Sequence, residues 1–279
     1  MRTWSLALWC VLCGAVPAAF AQQRPILTED PETVGAGRVL LEAGLDHVRG
    51  LRFPVSGLDG NLTRLPVAGV SIGLSSIAEL QVDGAGRRSL QIRQRLAGPY
   101  ADVVAPGERT SAADDLTIGT KIRLVPEGAR RPAVGARMAT RLGAGSGESG
   151  LGPGTTDLFV TALAGKTIQS IRVVGNVGLG LLADPTRGDQ RGRVLLYGAS
   201  FARALTQAAE VVGEINGRAQ RGDIRPPGSE TRATLRFGGR YTTGPLRLDA
   251  AVLLGMTTID AGVGVTAGMT YVFKGFSVP

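Results

Sequence analysis

The chain has 279 residues, with 31 lysines and arginines against 23 aspartates and glutamates, two cysteines and one histidine. Its 41 glycines exclude a helical bundle, because glycine costs about 1 kcal/mol at each helix position. Hydrophobic residues make up 43% and run the whole length, which excludes a disordered tail, yet mean hydropathy is only +0.12.

Residues 1–21 read as a cleaved secretory signal peptide. Arg2 supplies the positive end, Leu6 to Phe20 is apolar, and Ala19-Phe20-Ala21 forms an A-x-A site ahead of Gln22. The run is shorter than the roughly 18 residues a spanning helix needs. Cys10 and Cys13 both lie inside it, so the rest of the chain has no thiol or disulfide chemistry. Residues 22–36, with Pro25 and Pro31, are expected to form a periplasmic N-terminal segment that tucks into the periplasmic mouth of the domain downstream of it.

From residue 37 the chain alternates with period two, the mark of strands with one apolar and one polar face. Candidate strands fall near 38–49, 64–74, 77–96, 114–125, 132–143, 156–166, 168–182, 193–204, 208–220, 230–242, 245–256 and 262–273. Their connections alternate between long (50–63, 97–113, 144–155, 183–192, 221–229) and short (Ser75-Ser76, 126–131, Thr167, 205–207, Thr243-Gly244). A soluble sandwich also alternates. Long strands in strict up-and-down order, with apolar faces mostly free of charge, instead fit an all-β transmembrane antiparallel barrel of about twelve strands. The barrel is expected over 37–273, with a C-terminal tail over 274–279, both termini in the periplasm and the wall in the bacterial outer membrane.

If the polar faces point inward, the lumen is lined by Glu42, Asp46, Glu79, Gln81, Asp83, Lys121, Arg123, Arg137, Arg141 and Arg172. Farther along, Glu210 and Glu214 face Arg232, Arg236 and Arg240, and Arg247 and Asp249 come next. Such rows have two readings: salt bridges that brace the wall, or a polar pathway whose excess of arginine favours anionic solutes.

The last strand ends Thr266-Ala-Gly268-Met-Thr-Tyr271-Val-Phe273, which resembles the C-terminal signal read by the barrel-assembly machinery of the outer membrane. Gly268, Tyr271 and Phe273 carry the likeness, although Lys274 to Pro279 trail behind it. Tyr241, Tyr271 and Phe273 fall where one aromatic girdle belongs; a second girdle is not visible.

Other stretches carry a family likeness. They are Arg24-Pro25 through Thr28-Glu29-Asp30-Pro31 to Gly35, Gly37-Arg38 to Gly44, Leu65-Pro66, Gly73 to Leu80, and Asp114-Asp115 to Lys121. Together they resemble the meta-pathway phenol-degradation family of outer-membrane barrels. The resemblance implies an outer-membrane pore or uptake route associated with aromatic catabolism. The expected partners are outer-membrane lipids, the barrel-assembly machinery and small aromatic or anionic solutes. The resemblance brings no catalytic residues.

No cofactor or metal is expected, since His47 is the only histidine. Catalysis would need His47 with a serine, Ser56 being the closest in the following loop, as in an outer-membrane lipid hydrolase; an interfacial histidine is the plainer reading. Gly145-Ser-Gly147-Glu-Ser-Gly150 matches G-x-G-x-x-G, but Gly152-Pro153-Gly154 forbids the helix a nucleotide site requires. The arginines alternate along strands without a basic cluster and stacking aromatics, so nucleic acid is not an expected partner. The leading expectation is a passive channel; the alternatives are a non-conducting structural or surface-interaction barrel and an enzyme.

Overall fold

In a computed structural model the chain is described over residues 24–84, 86–144 and 147–277. The expected signal peptide lies outside the described residues, as do Gly145 and Ser146 of the glycine-rich stretch and the last two residues of the tail.

The described residues form strands β1 (Arg38–Phe53), β2 (Leu58–Gly73), β3 (Ala78–Asp83), β4 (Arg87–Arg95), β5 (Arg109–Ala113), β6 (Leu116–Val125) and β7 (Ala133–Leu142). They continue as β8 (Thr156–Ile168), β9 (Ile171–Ala183), β10 (Arg191–Ala204), β11 (Ala209–Arg221), β12 (Arg232–Thr243), β13 (Leu246–Gly255) and β14 (Val263–Lys274). Every pairing is antiparallel, and β1 bonds both β14 and β2, so the sheet closes on itself; the short β5 pairs β4 alone among the described residues and keeps one side unpaired. β3 and β4 share β2 as partner, while β4 pairs β5 and β3 pairs β6. The fourteen runs therefore make twelve staves of an up-and-down barrel.

Two of the staves break for a local reason. Pro66 has no N–H to give the ladder, and it falls between Arg64, the last residue of β2 to pair β4, and Gly69, the first to pair β3. Beside it Gly84 takes φ +99, and a Cβ there would lie 1.9 Å from the Asp115 carbonyl oxygen. Asp114 and Asp115 interrupt the next stave at the same level, with the Asp114 N–H on the Gly86 carbonyl at 2.8 Å.

The polarity of the wall is inside-out relative to a soluble barrel. Met138, Leu179 and Phe237 are 65%, 61% and 63% exposed on the outer face, whereas Lys121 and Glu79 are fully buried on the inner one. Apolar outside and charged inside is the arrangement a bilayer-spanning barrel requires, because lipid accepts methyl groups and refuses ions.

Near the end away from the termini the pattern reverses along the first staves, and the expected loop 50–63 is a correction. β1 and β2 continue through it as a hairpin joined by residues 54–57. Leu58 and Leu62 turn inward there, packing with Leu90, Val104 and Leu151. Arg52 and Asp59 pair at 3.0 Å on the outer side. A wall that has left the lipid meets water outside, so the apolar face moves to the interior. That reversal hides the strand from a reading that tracks one polarity. Likewise the expected loop 97–113 contains β5, and the turns placed at Thr167 and at Thr243-Gly244 fall at Gln169-Ser170 and Gly244-Pro245.

At mid-strand on the outer face, Val177→Arg is expected to destabilise the barrel by about 2–4 kcal/mol. Equilibrium unfolding in phospholipid vesicles measures this.

Candidate functional site: a lumen threaded by the N-terminal segment

Residues 24–36 precede β1 and run inside the barrel, held in sequence by one wall residue after another. The Arg24 guanidinium donates to Thr266 Oγ1 at 2.9 Å and to the Ala267 carbonyl at 3.0 Å, and lies 3.7 Å from Asp249. Glu214 of β11 then receives the N–H groups of Leu27 and Thr28 and the Thr28 hydroxyl, at 2.6–2.9 Å. Asn176 of β9 bonds Glu29 twice, accepting its N–H at 2.7 Å and donating to its carbonyl at 2.8 Å. Asp30 takes a two-pronged bond from Arg172 (2.7 and 2.8 Å), Glu32 takes Arg123 at 2.5 Å, and Glu79 accepts the Val34 N–H at 2.7 Å. A segment with no helix or strand of its own must find partners for its amides elsewhere, and the wall supplies them.

The densest part of this contact is a charge cluster around Lys121. Its ammonium lies 3.0 Å from Glu79 and 3.4 Å from Glu29; Glu29 also faces Arg137 at 3.2 Å. Gln81 accepts from Arg137 at 2.6 Å and donates to Glu79 at 2.8 Å. A buried charge whose partner is removed costs several kcal/mol, so segment and wall stabilise each other.

Glycines make room for the segment. Gly44 and Gly268 are ladder partners, and a Cβ on either would fall within 2.5 Å of the Arg24 guanidinium. A Cβ on Gly135 or Gly165 would come within 3.2 Å of Pro31, and one on Gly198 within 3.0 Å of the Thr28 hydroxyl, closer than ordinary contact. Close approach, as well as twist and turns, accounts for their number.

Each sequence-derived lumen position carries an interior contact. Glu42 accepts the Arg24 N–H at 3.3 Å, and Asp46 faces Arg64 at 3.5 Å. Asp83 lies 3.8 Å from Arg137, and Arg141 pairs with Asp157. Glu214 and Glu210 stand directly opposite Arg236 and Arg240, at 3.7 and 3.9 Å. Arg247 also reaches Glu210 at 3.9 Å, and Arg232 reaches Asp260 at 3.5 Å. Sequence reasoning missed the partners from outside the strands: Arg24, Glu29, Asp30 and Glu32 of the segment, and Asp114 and Asp260. The expected tuck of residues 22–36 into the mouth names no partner for their side chains, and Asp114 and Asp260 fall outside the inward alternation.

Empty space remains on the far side of the segment. A cavity of about 680 Å³ has Leu27 on its floor and the turn 54–57, Tyr100 and Gly150 at its rim. Rim segments touch one another: Ser56 Oγ donates to the Gly150 carbonyl at 2.7 Å, and the Tyr100 hydroxyl to that of Pro185. Leu51, Phe53, Leu62 and Leu151 form an apolar side of this cavity, and Arg141, Arg218, Arg232 and Arg236 also line it. Arg218 donates to the carbonyls of Glu230 (3.0 Å) and Gly228 and has no carboxylate within ion-pair distance among the described residues. A second cavity of about 360 Å³ lies beside the segment; Leu27, Asp46, Arg64 and Arg236 border both.

His47 pairs with Thr63 across the ladder, Nδ1 to Oγ1 at 2.9 Å, while the Ser56 hydroxyl is turned to Gly150. No His–Ser dyad forms between them. Tyr271 and Phe273 lie exposed on the outer face with ring centroids 5.9 Å apart, near the end that carries the termini.

Glu127 lies in the 126–132 connection at the terminus end. Burial raises its pKa, but the Thr167 N–H, Lys166 at 2.9 Å and Arg172 at 2.5 Å outweigh that and hold it at about 2.

No family profile and no curated protein sequence matches the chain. Solved structures do. An outer membrane channel from Pseudomonas putida F1 superposes with a TM-score of 0.60 at 15% identity, over 88% of this chain and 98% of that one. The translocator domain of the autotransporter NalP from Neisseria meningitidis gives 0.53 at 14%, over 86% and 89%. The NanC porin gives 0.51 at 11%, over 84% and 98%. At such identities the likeness is one of fold.

Replacing Glu214 by Ala removes the acceptor of two segment amides. Hydrogen exchange at Leu27 and Thr28 is expected to quicken by about ten- to a hundredfold, with Glu210→Ala leaving both unchanged. For Glu127 the folded pKa is depressed, so its stabilisation is present above its ordinary value near 4.5 and is lost as pH falls toward 2. Glu127→Gln is therefore expected to lower the thermal midpoint at neutral pH, and the gap from wild type to close across that acidic window.

Proposed function

We propose that this chain is a bacterial outer-membrane barrel that passively conducts small anionic solutes, aromatic acids among them, with both termini in the periplasm and residues 24–36 setting the bore. The observation that carries the reading is the 680 Å³ interior cavity, which joins an apolar side to guanidinium groups; among the described residues, Arg218 there has no carboxylate at ion-pair distance. Its size suits a single small molecule, and a flat apolar body with one carboxylate matches both kinds of lining. Fold likeness to an outer membrane channel and to a porin supports conduction. The resemblance of the 24–125 region to the phenol-degradation barrels supports the aromatic substrate class. The long connections 96–108 and 222–231 lie at the far end and the two-residue turns 169–170 and 244–245 at the terminus end, which supports the orientation.

A second reading has its own observation. The segment's bonds to β3, β6, β9, β11 and β14 fill much of the lumen, which suits a non-conducting structural barrel.

Planar-bilayer recording separates the two. The channel reading expects low conductance from the full chain, a higher one after deletion of residues 22–36, and a shift from anion toward cation preference in Arg218→Glu. A folded barrel that stays silent with and without the segment, in the presence of aromatic carboxylates, sinks it in favour of the structural barrel.

A further inference from the structure

On the outer face, at the end away from the termini, Arg193 of β10 and Arg221 of β11 stand directly opposite each other in the ladder. Opposed side chains start roughly 5 Å apart at Cβ, where two like charges repel and destabilise the pairing. Both arginines are exposed, and among the described residues neither makes an ion pair or a side-chain hydrogen bond. Arg191, two positions away on the same face, donates only to the Thr156 carbonyl at 3.3 Å. Asp189 and Asp223, the nearest carboxylates in sequence, pair with none of the three.

The depth of this cluster is marked independently. The next outward residues toward the termini are Leu195 and Ala219, then Tyr197 and Gly217. Tyr197 lies across Gly217 and directs its hydroxyl to the Arg232 carbonyl at 3.4 Å. That is the posture of an interfacial tyrosine, apolar ring against the wall and polar tip in the wet layer. Arg193 is four residues beyond it, roughly 13 Å along the strand. Its neighbour on the other side, Leu181, is still 39% exposed. The arginines therefore sit where the apolar belt gives way to headgroups.

We infer that Arg193, Arg221 and Arg191 form a binding site for the phosphate of a phosphorylated membrane lipid in the leaflet at this end. Two guanidinium forks held side by side present parallel N–H donors to phosphate oxygens, and the bound anion turns a repulsive pair into an attractive triad. The inference rests on the membrane-embedded reading above and is independent of whether the lumen conducts.

The test uses the full chain in an uncharged detergent, titrated with lipid A (a bis-phosphorylated glycolipid), with its dephosphorylated form, and with inorganic pyrophosphate. Binding is read by native mass spectrometry and by thermal unfolding. Wild type is expected to bind lipid A and rise in midpoint. The dephosphorylated lipid should do neither, and pyrophosphate should bind more weakly, lacking the acyl chains. The R193Q/R221Q variant is expected to bind lipid A about tenfold or more weakly. Without lipid, that variant should be at least as stable as wild type, because the repulsion is gone. Arg203→Gln, on the outer face at the opposite end, serves as control and should keep wild-type binding. Equal lipid A binding by R193Q/R221Q and wild type, or a double variant less stable than wild type without lipid, would overturn the site. Equal binding of the dephosphorylated lipid would assign the contact to acyl chains instead. A silent channel that still binds lipid A leaves this site standing.

Discussion

The ammonium of Lys121 is fully buried inside a tube whose outer surface is apolar, and its two carboxylate partners come from different places. Glu79 is on the neighbouring stave, while Glu29 is on a segment that precedes the barrel altogether. An ion in that position has neither bulk water nor lipid to accept it, so it must be matched by charge from within. This requirement organises much of the interior. Arg123, Arg137 and Arg172 each take a carboxylate of the segment, and wall carboxylates in turn hold the segment's amides and Arg24. Closing the sheet pairs most of the wall's backbone, and threading the segment gives partners to Lys121, Arg123, Arg137 and Arg172.

In the proposed channel, the same constraint bears on conduction. Where the segment passes, most basic groups are paired, and solute has little to bind. Beyond it Arg218 has no carboxylate at ion-pair distance among the described residues, and the wall near the far end turns apolar on its inner side. The larger of the two described cavities, with both kinds of surface, lies past the segment. Any movement of residues 24–36 exchanges internal ion pairs for hydrated ones, so bore and stability are linked through the same contacts.

The strand content was legible because the bilayer imposes one polarity on each face. Residues such as Val263, Val265 and Met269 against Gly264, Thr266 and Gly268 announce their sides without help from the rest of the chain. The same cue failed at residues 50–63, where water replaces lipid outside and the code inverts. Glu210 and Glu214 against Arg240 and Arg236 could be paired from sequence because they sit on consecutive strands of the up-and-down order. Glu29 with Lys121, or Arg24 with Asp249, could not be, since contacts 92 and more than 200 residues apart leave no local trace.

Sequence by itself determined the architecture of this protein: period two and an even strand count come from local composition. Alternation, a local property of the pleat, also separated the two faces of each strand wherever lipid lies outside the wall. Only the tertiary structure decided that the N-terminal segment occupies the lumen and that glycines clear its path. The same holds for the opposition of Arg193 and Arg221 on the outer face. Those facts depend on which staves and segments meet in space, and ring closure with its register, rather than any single stretch of chain, sets that.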